Sequence, residues 1–537
     1  MPTKYIVILG SLMSGLGKGV VTASILKMLD FYNYNALPIK FDGYLNYDCG
    51  TMNPYRHGEV FVLDDKGEVD MDFGIYERFL NKSMTCDLSI TGGKLFGGII
   101  NKERKGEFLG VDVQIIPHLT NEAINRIKDV EKNKKPDVIV IEVGGTVGDI
   151  ENSYFIEAVR QLAIKENAIF INLTYTPKLD VVGEQKTKPA QLGFRLLLQA
   201  GIRPSFVISR SKDLLKDTTI EKLALFSNIT KDKVIDDSDL YSMYMLPIHF
   251  IEQEFDKKLI TELKLEPREI NQDKLNNWKE KIKIIEKPEK QVTIGVVGKY
   301  TDLKDAYASI NESFVHAGIL NNAKVNIKWI EATEIEENGV SVLENLNGVL
   351  VPGGFGKRGI EGMIHAIKYS RENKVPYLGI CLGMQLMAVE YARSVCSLSD
   401  ANSIEFNKNT KSPIITLMES QKNIYNLGGT MRLGEWKCVL KDNTITFNSY
   451  KSKNISERHR HRYEFNNEYR SLLEEKGLVI AGTTEDNGLV EFIEWKDQFG
   501  VGTQAHPELK SRLEIPAPLF GSFVKASLEF SESKNKN

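Results

Sequence analysis

The sequence predicts an α/β protein with two doubly wound, mostly parallel-sheet domains. Short apolar runs alternate with helical patterns, as where YIVIL is followed by VVTASILKML, and this alternation is typical of βαβ units. The same alternation restarts in the second half at QVTIGVVGKY. A chain of 537 residues with 42% apolar composition is also too long for one ordinary core. We therefore expect two sheets, each covered by helices.

The domain boundaries are predicted from a charged stretch near the middle of the chain. Between about Leu263 and Gln291 the sequence reads KLEPREINQDKLNNWKEKIKIIEKPEKQ, with prolines and lysines in place of a periodic core. We expect one domain over residues 1–265, an interdomain linker over 266–290 and a second domain over 291–537.

Composition excludes several classes of protein. The formal net charge is only -3 and the basic residues form no block, so no nucleic-acid partner is expected. No apolar run approaches the roughly 20 residues that span a bilayer, and the start MPTKYIVILGS is typical of a buried first strand rather than a signal peptide. The cysteines lack CxxC spacing, which argues against disulfides or structural zinc and favours a cytoplasmic protein: Cys49, Cys86, Cys381, Cys396 and Cys438.

A glycine-rich turn follows the first predicted strand. The segment GSLMSGLGKGV, residues 10–20, precedes a helix, where backbone N–H groups can hold phosphate and Lys18 can add a charge. It departs from GxxxxGK[ST], because Leu12 replaces the first glycine and Gly19 replaces the Ser/Thr that normally binds magnesium. A tight turn without a ligand also explains these glycines.

Charged residues near the ends of other strands extend this candidate site. Asp72 and Glu142 could hold Mg²⁺ against ATP phosphates, supplying what Gly19 cannot, although a solvated loop carboxylate is the alternative for each. Lys186 and Lys188, in GEQKTKPAQ, could bind a second phosphorylated ligand, with an exposed basic turn as the alternative.

The second domain contains a cysteine in the setting of a nucleophile elbow. PYLGICLGMQLMAVEYA predicts a strand, a sharp turn at Cys381 and a helix, with Gly379 and Gly383 two residues to either side. A helix N-terminus favours the thiolate, and the next backbone N–H can face a developing oxyanion. A buried structural cysteine is the alternative.

A base for this nucleophile is predicted downstream. His506, in QAHPELK, follows a predicted strand, and Glu508 could orient the imidazole. A spacing of two would project both side chains from one face of an extended segment. Gly354, in GVLVPGGFGKRG, could complete an oxyanion hole through its backbone N–H. A packed histidine is the alternative for His506 alone.

These segments together resemble the CTP synthase family. The similar strings extend over nearly the whole chain and include SGLGKG, GTMNPYRHGEVFV, IEVGGTVGDIE, KTKPAQ, GGFGKRG, GICLGMQ, GTMRLG and ERHRHRYEFNN. The resemblance implies an amidoligase domain related to dethiobiotin synthetase, joined to a class I glutamine amidotransferase domain. The implied activity is ATP-dependent amination of UTP at C4 to CTP, with ammonia from glutamine, as the last step of de novo pyrimidine nucleotide synthesis.

The resemblance also assigns site residues by position. The catalytic set is Cys381, His506 and Glu508. The ATP-binding set is Gly15, Leu16, Gly17, Lys18, Gly19, Val20, Asp72, Ser238, Asp239 and Leu240, with Asp72 and Glu142 on Mg²⁺. The UTP- and CTP-binding set is Ser14, Asp149, Ile150, Glu151, Lys186, Thr187, Lys188, Pro189, Ala190, Gln191 and Lys222. The glutamine-binding set is Gly354, Leu382, Gly383, Met384, Gln385, Glu405 and Arg462, of which Arg462 would pair with the substrate carboxylate.

Partners and regulation follow from the same resemblance. It implies UTP, ATP and glutamine as substrates, CTP as a feedback inhibitor, GTP as an allosteric activator, and a homotetramer with nucleotide sites between subunits. Ala308 stands where a lysine is common in the family. This difference bears on how GTP would be coupled to activity. Two alternatives remain at this point: a glutamine-dependent amidoligase that acts on a carboxylate, such as a corrinoid side-chain amidating enzyme, and a catalytically silent scaffold or filament subunit.

Overall fold

A computed structural model describes residues 2–179, 181, 183–299, 301, 303–418, 421 and 428–534. The described residues form two compact units. Unit 1 contains those of Met1–Cys49 and Ile75–Ile282, and unit 2 contains those of Gly50–Gly74 and Lys283–Asn537.

The strands alternate with helices along most of the chain. In chain order they are β1 (Lys4–Gly10), β2 (Ala36–Asp42), β3 (Phe61–Val62), β4 (Glu68–Val69), β5 (Ser89–Thr91), β6 (Val138–Val143), β7 (Ala168–Tyr175), β8 (Lys178–Leu179), β9 (Glu184–Gln185), β10 (Phe206–Ser211), β11 (Val234–Ser238), β12 (Lys290–Gly298), β13 (Ala323–Glu331), β14 (Gly348–Val351), β15 (Tyr377–Ile380), β16 (Asn402–Ser403), β17 (Pro413–Leu417), β18 (Arg432–Leu440), β19 (Asn454–His461), β20 (Tyr463–Phe465), β21 (Val479–Thr483), β22 (Val490–Glu494) and β23 (Gly500–Thr503).

The α-helices connect these strands and cover the sheets. They are α1 (Lys18–Phe31), α2 (Pro54–His57), α3 (Asp72–Leu80), α4 (Gly92–Arg104), α5 (Thr120–Lys134), α6 (Ser153–Lys165), α7 (Lys188–Gln199), α8 (Asp217–Ser227), α9 (Leu246–Glu252), α10 (Phe255–Glu262), α11 (Gln272–Glu286), α12 (Ala308–Asn321), α13 (Ala332–Asn338), α14 (Ile360–Glu372), α15 (Leu382–Ser394), α16 (Ile445–Tyr450), α17 (Arg470–Glu475) and α18 (Pro518–Lys534). Within the described ranges, no helix combines the length and the apolar character needed to cross a membrane.

Unit 1 is built on a parallel sheet. In the described residues its strand order is β11-β10-β7-β1-β6-β2-β5, and every neighbouring pair runs parallel. The central strand β1 buries Ile6, Val7 and Ile8 completely, because helices cover both faces of a sheet of this type. The predicted doubly wound fold is therefore present in this half.

Unit 2 contains a larger, mixed sheet. Its order over the described residues is β13-β12-β14-β15-β23-β22-β21-β18-β19. The pairs from β13 to β23 are parallel, as predicted. The pairs from β23 to β19 are antiparallel, so this part of the sheet departs from the mostly parallel expectation. Both halves are α/β, which confirms the predicted fold class.

The predicted linker over 266–290 differs from the structure, because most of it is the helix α11. Its residues Leu275, Trp278 and Ile282 are buried at helical spacing. The Trp278 indole Nε1 donates to the Tyr244 carbonyl at 2.8 Å, and its ring packs edge-on against Phe31. The abundant charges lie on the other faces of the helix, so α11 belongs to unit 1 as far as Ile282.

The predicted boundaries also miss an inserted segment, Gly50–Gly74, which belongs to unit 2 although the flanking sequence belongs to unit 1. Its short strands β3 and β4 pair antiparallel, with Phe61 opposite Val69. Phe61 and Val62 are fully buried. Burial of the apolar side chains of this hairpin contributes to the folding of the segment with unit 2.

Candidate active sites

Cys381 lies at a strained turn between β15 and α15. Its backbone has φ 50° and ψ -98°, which a residue with a side chain adopts only where the surrounding structure holds it. Its N–H donates to the Thr503 carbonyl at 2.7 Å. A Cβ on Gly383 would lie 2.1 Å from the Val351 carbonyl oxygen, so glycine is required for the helix to approach β14. The structure thus contains the predicted strand, turn and helix.

His506 and Glu508 form a hydrogen-bonded pair, with 2.7 Å between Nδ1 and Oε1. The backbone differs from the expected extended segment, because His506 caps a 3₁₀ turn over Pro507–Lys510. Pro507 fixes φ and favours the start of such a turn. The His506 N–H donates to the Arg458 carbonyl at 2.8 Å, which ties the turn to β19.

The charges around His506 favour its protonated form. Burial lowers the pKa of the imidazole, but the negative charges of Glu508 and Cys381 outweigh burial and raise the pKa to about 10. The Cys381 Sγ also lies 3.5 Å from the Gln504 Nε2 and 3.9 Å from the Arg460 carbonyl oxygen. The arrangement is that of a sulfur nucleophile beside an imidazolium whose other nitrogen is held by a carboxylate.

Two adjacent glycines face the nucleophile. A Cβ on Gly353 would lie 2.9 Å from His506 Cε1 and 3.6 Å from Cys381 Cβ. A Cβ on Gly354 would lie 3.4 Å from a methyl group of Leu382. Gly354 was expected from the sequence, whereas Gly353 was not, although a Cβ there would meet both His506 and Cys381.

A buried lysine holds the loop that contains these glycines. Lys299 Nζ donates to the Phe355 carbonyl at 3.2 Å and also to the Gly356 carbonyl. Burial lowers the pKa of Lys299 to about 8, against the opposing influence of Glu405. The Gly356 N–H in turn donates to Glu405 at 2.9 Å. Sequence reasoning missed Lys299, because VGKY carries no recognisable catalytic signature.

A cavity of about 430 Å³ opens beside the nucleophile. Its lining within unit 2 includes Cys381, His506, Glu508, Gly353, Gly354, Phe355, Arg460 and Arg462, with Gly50, Thr51, Met52, Pro54, Glu59 and Val60 from the inserted segment. The predicted residues Leu382 to Gln385 lie in the buried first turn of α15. Arg462 Nη1 donates to Gln421 at 2.7 Å and to Thr430 at 3.0 Å.

In unit 1, the glycine-rich turn forms the start of α1. Gly15 and Gly17 have φ of 76° and 88°, which favour glycine. Lys18 Nζ donates to the Gly145 carbonyl at 2.7 Å. A cavity of about 200 Å³ is lined by the predicted Gly15, Leu16, Gly17, Val20 and Leu240, together with Arg210, Asp237, Ser242, Met243 and Leu246. The structure therefore brings the two predicted ATP-binding segments to one cavity.

Glu142 is not a solvated loop carboxylate, since only 1% of its side chain is exposed. Thr22 and Tyr76 donate to its Oε2 at 2.9 and 2.5 Å, and Lys40 lies 3.2 Å from its Oε1. Asp72 begins α3 in the segment assigned to unit 2. The described residues contain no group of three or more His, Cys, Asp or Glu placed to hold a metal ion.

The predicted UTP- and CTP-binding residues lie largely at the surface of unit 1. Ser14, Ile150, Glu151, Lys188 and Lys222 are exposed, whereas Ala190 and Gln191 are buried in α7. Lys186 forms an ion pair of 2.6 Å with Glu184. The pKa of Glu184 is lowered by this hydrogen bond and by the charges of Lys186, Lys222 and Lys216. These three lysines therefore form a basic cluster around Glu184.

The sheet and the Cys381–His506–Glu508 set of unit 2 are those of a class I glutamine amidotransferase. In agreement, the family model "Glutamine amidotransferase class-I" matches residues 302–526. The model "CTP synthase N-terminus" matches residues 4–265. The chain belongs to the CTP synthase family, whose members are glutamine-hydrolysing ligases.

Similar proteins match over nearly the full length. CTP synthase of Caldanaerobacter subterraneus subsp. tengcongensis is 48% identical over 98% of this chain and 98% of its own length. CTP synthase of Pyrococcus furiosus is 46% identical over 99% of each chain. Among solved structures, the glutaminase domain of Trypanosoma brucei CTPS with bound acivicin is 36% identical, covering 44% of this chain and 94% of that one, with a TM-score of 0.42. The two family models and the full-length CTP synthase relatives do not favour the carboxylate-amidating enzyme or the silent scaffold.

Proposed function

We propose that the chain makes CTP by ATP-dependent amination of UTP at C4, with ammonia that unit 2 releases from glutamine. The observation that carries this proposal is the strained Cys381 beside a His506 that Glu508 orients at 2.7 Å. The phosphate-binding turn of unit 1, with its own cavity, supports the ATP-dependent half.

The glutaminase half follows from the groups around Cys381. The thiolate of Cys381 attacks the amide carbon of glutamine, and the His506 imidazolium gives its proton to the departing ammonia as the C–N bond breaks. The raised pKa of His506 keeps that proton available at neutral pH. Water then cleaves the glutamyl thioester with His506 as base, which releases glutamate. Backbone N–H groups of the Gly353–Gly354 loop and of Leu382 stabilise the oxyanion.

Two charged residues select the substrate of this half. Arg462 lines the cavity and binds the α-carboxylate of glutamine, a task that suits a planar guanidinium. Glu405 binds the α-amino group. Burial raises the pKa of Glu405, and the Gly356 N–H partly offsets this effect. Leu382 to Gln385, in the buried first turn of α15, complete the proposed glutamine site.

The synthetase half activates UTP for attack by ammonia. Residues 15–20 hold ATP phosphates through their backbone N–H groups, Lys18 adds a charge, and residues 238–240 contact adenine. The γ-phosphoryl group passes to O4 of UTP, and ammonia then displaces phosphate at C4, which yields CTP, ADP and phosphate. Phosphorylation turns the poor oxygen leaving group at C4 into phosphate, which leaves readily.

Mg²⁺ is proposed to act with ATP through Asp72 and Glu142. The donor chemistry fits, because Mg²⁺ in nucleotide sites takes one or two carboxylates and completes its shell with phosphate oxygens and water. Glu142 is already held in place by Thr22, Tyr76 and Lys40. When bound, the ion neutralises charge on the transferred phosphoryl group.

UTP recognition is proposed for the surface cluster of unit 1. Lys186, Lys188 and Lys222 bind the triphosphate, with Ser14, residues 149–151 and residues 187–191 completing the site for UTP and CTP. Ser14, Ile150, Glu151, Lys188 and Lys222 are exposed in one chain, which supports a site shared between subunits of a homotetramer. CTP then acts as a feedback inhibitor at the same surface. GTP acts as an allosteric activator.

A cytoplasmic location is part of the same proposal. Its support is that none of the five cysteines forms a disulfide, which is typical of a reducing compartment.

The acceptor is tested by incubating the purified chain with ATP, Mg²⁺ and glutamine, and with either UTP or a carboxylate acceptor. We expect equal amounts of CTP, ADP and glutamate with UTP. ADP release that depends on the carboxylate and not on UTP would contradict the proposal.

A further inference from the structure

Two arginines of β19 contact both the catalytic residues and the inserted segment Gly50–Gly74. The backbone carbonyl of Arg458 accepts from the His506 N–H at 2.8 Å, and that of Arg460 lies 3.9 Å from Cys381 Sγ. Their side chains pair with carboxylates of the inserted segment. Arg458 Nε lies 2.6 Å from Asp64, and Arg460 Nε lies 2.9 Å from Glu68.

These ion pairs are partly buried, which makes their geometry restrictive. Each pair has one fully buried partner and one partly exposed partner: Arg458 is 0% exposed and Asp64 27%, while Glu68 is 1% exposed and Arg460 17%. Removing one partner of a buried pair leaves an uncompensated charge, so the strand must shift or admit water. Arg460 Nη2 also donates to the Gly50 carbonyl at 3.1 Å, which fixes the guanidinium at a second point.

The space around Glu68 permits little adjustment. A Cβ on Gly50 would lie 2.2 Å from Glu68 Oε2, so the carboxylate fills the room that glycine leaves. The Arg460 guanidinium also lies 5.5 Å from the centre of the Phe355 ring, next to the Gly353–Gly354 loop. Arg460 therefore contacts the nucleophile, the oxyanion loop and the inserted segment at once.

We propose that Glu68 and Asp64 are positioning residues for glutamine hydrolysis, which act through Arg460 and Arg458 on Cys381 and His506. The inference rests on the proposed role of the triad and extends it to carboxylates that lie more than 300 residues earlier in the chain. Neither carboxylate has to touch glutamine, whose α-carboxylate is assigned to Arg462. Loss of the pairing should therefore lower kcat and leave KM largely unchanged.

The main test is Glu68→Gln, which removes the charge but keeps the size of the side chain. We expect the kcat for glutamine hydrolysis to fall roughly 10-fold or more, because a small displacement of reacting groups is costly. KM should stay within about two-fold, and ammonia-dependent CTP formation should be unchanged. The rate at which iodoacetamide alkylates Cys381 should fall together with kcat. Both rates are expressed per active site, so a smaller amount of folded protein would not by itself lower them.

Two further variants separate positioning from general destabilisation. If Glu68 acts through Arg460, the double variant Glu68→Gln/Arg460→Gln should be no slower than the slower single variant. Glu372→Gln is the matched control, because Glu372 lies on the exposed surface of α14, 3.9 Å from Lys368 and 3.6 Å from Arg371. It should hydrolyse glutamine at the wild-type rate.

A folded Glu68→Gln variant with wild-type kcat and alkylation rate would overturn the proposal. If urea denaturation shows that Glu68→Gln is not folded, Glu68→Asp is measured in the same way. A wild-type kcat in Glu68→Asp would then overturn the proposal. Additive losses in the double variant would also overturn it. Failure of the proposed function is distinct, because it would appear as a wild-type chain that does not hydrolyse glutamine, while the alkylation rates would still report on positioning.

Discussion

His506 Nδ1 lies 2.7 Å from Glu508 Oε1, and both side chains are largely withdrawn from solvent. Water screens such a pair poorly, so the carboxylate has a strong influence on the imidazole. Together with Cys381 it raises the pKa of His506 to about 10, although burial acts in the opposite direction. The protonation state of His506 at neutral pH therefore depends on a charge two residues away.

Replacing Glu508 by glutamine should slow glutamine hydrolysis by roughly 10²- to 10⁴-fold. The amide keeps a hydrogen-bonding group near Nδ1 but removes the charge that stabilises the imidazolium. Ammonia-dependent CTP formation should be unaffected, because it does not use the triad. Steady-state assays with glutamine and with ammonium salt measure both. Equal losses in the two assays would show that the substitution damages the fold rather than the triad.

The stability of unit 2 should fall as the pH rises from about 6.5 to about 10. The pKa of His506 in the folded protein, about 10, lies above its ordinary value of 6.5. A group whose pKa is higher in the folded than in the unfolded state stabilises the fold fully at pH values below its unfolded-state pKa. This stabilisation is lost as the pH rises through its folded-state pKa. Urea unfolding at several pH values should show this decline, and it should be weaker in Glu508→Gln. Identical pH dependence in the two proteins would contradict the assigned ion pair.

Lys18→Met should lower kcat/KM for ATP by roughly 10²- to 10³-fold in the ammonia-dependent reaction, because the positive charge that offsets the transferred phosphoryl group is lost. Lys132→Met is the control, since Lys132 is exposed on α5. ADP release with ammonium salt as nitrogen source is the measurement. A Lys18→Met variant with wild-type kinetics would exclude this lysine from the phosphate site.

Trp278→Ala should destabilise unit 1 by about 3–5 kcal/mol, the usual cost of emptying a buried aromatic site. Trp278 is fully buried and packs against Phe79 and Tyr244. Lys279→Ala, on the exposed face of the same helix, should change the free energy of unfolding by less than about 0.5 kcal/mol. Urea denaturation separates these outcomes. A negligible loss in Trp278→Ala would mean that α11 behaves as a linker after all.

Local features of the site were predictable from the sequence. The elbow at Cys381 follows from glycines at two residues to either side, and the partnership of His506 with Glu508 follows from their spacing. The prediction of an extended backbone at His506 and Glu508 was wrong. Pro507 lies between them and favours the observed 3₁₀ turn. The glycine-rich turn before α1 was likewise predictable, since Gly15 and Gly17 occupy positive φ.

The missed features depend on contacts between distant parts of the chain. Nothing near Glu68 indicates that it pairs with Arg460, almost 400 residues later. The helix α11 carried a readable signal, the spacing of Leu275, Trp278 and Ile282, but its many charges outweighed that signal in the prediction. Gly353 and Lys299 were missed because backbone proximity to Cys381 and His506 leaves no mark in local sequence.

The most direct test of the whole account is the nitrogen source used by Cys381→Ala. With glutamine, this variant should form no CTP and release no glutamate, because no thioester can form. With ammonium salt, it should form CTP at the wild-type rate, because unit 1 activates UTP without the cysteine. A folded Cys381→Ala protein that still used glutamine, or that failed with ammonia as well, would contradict the division of chemistry between the two units.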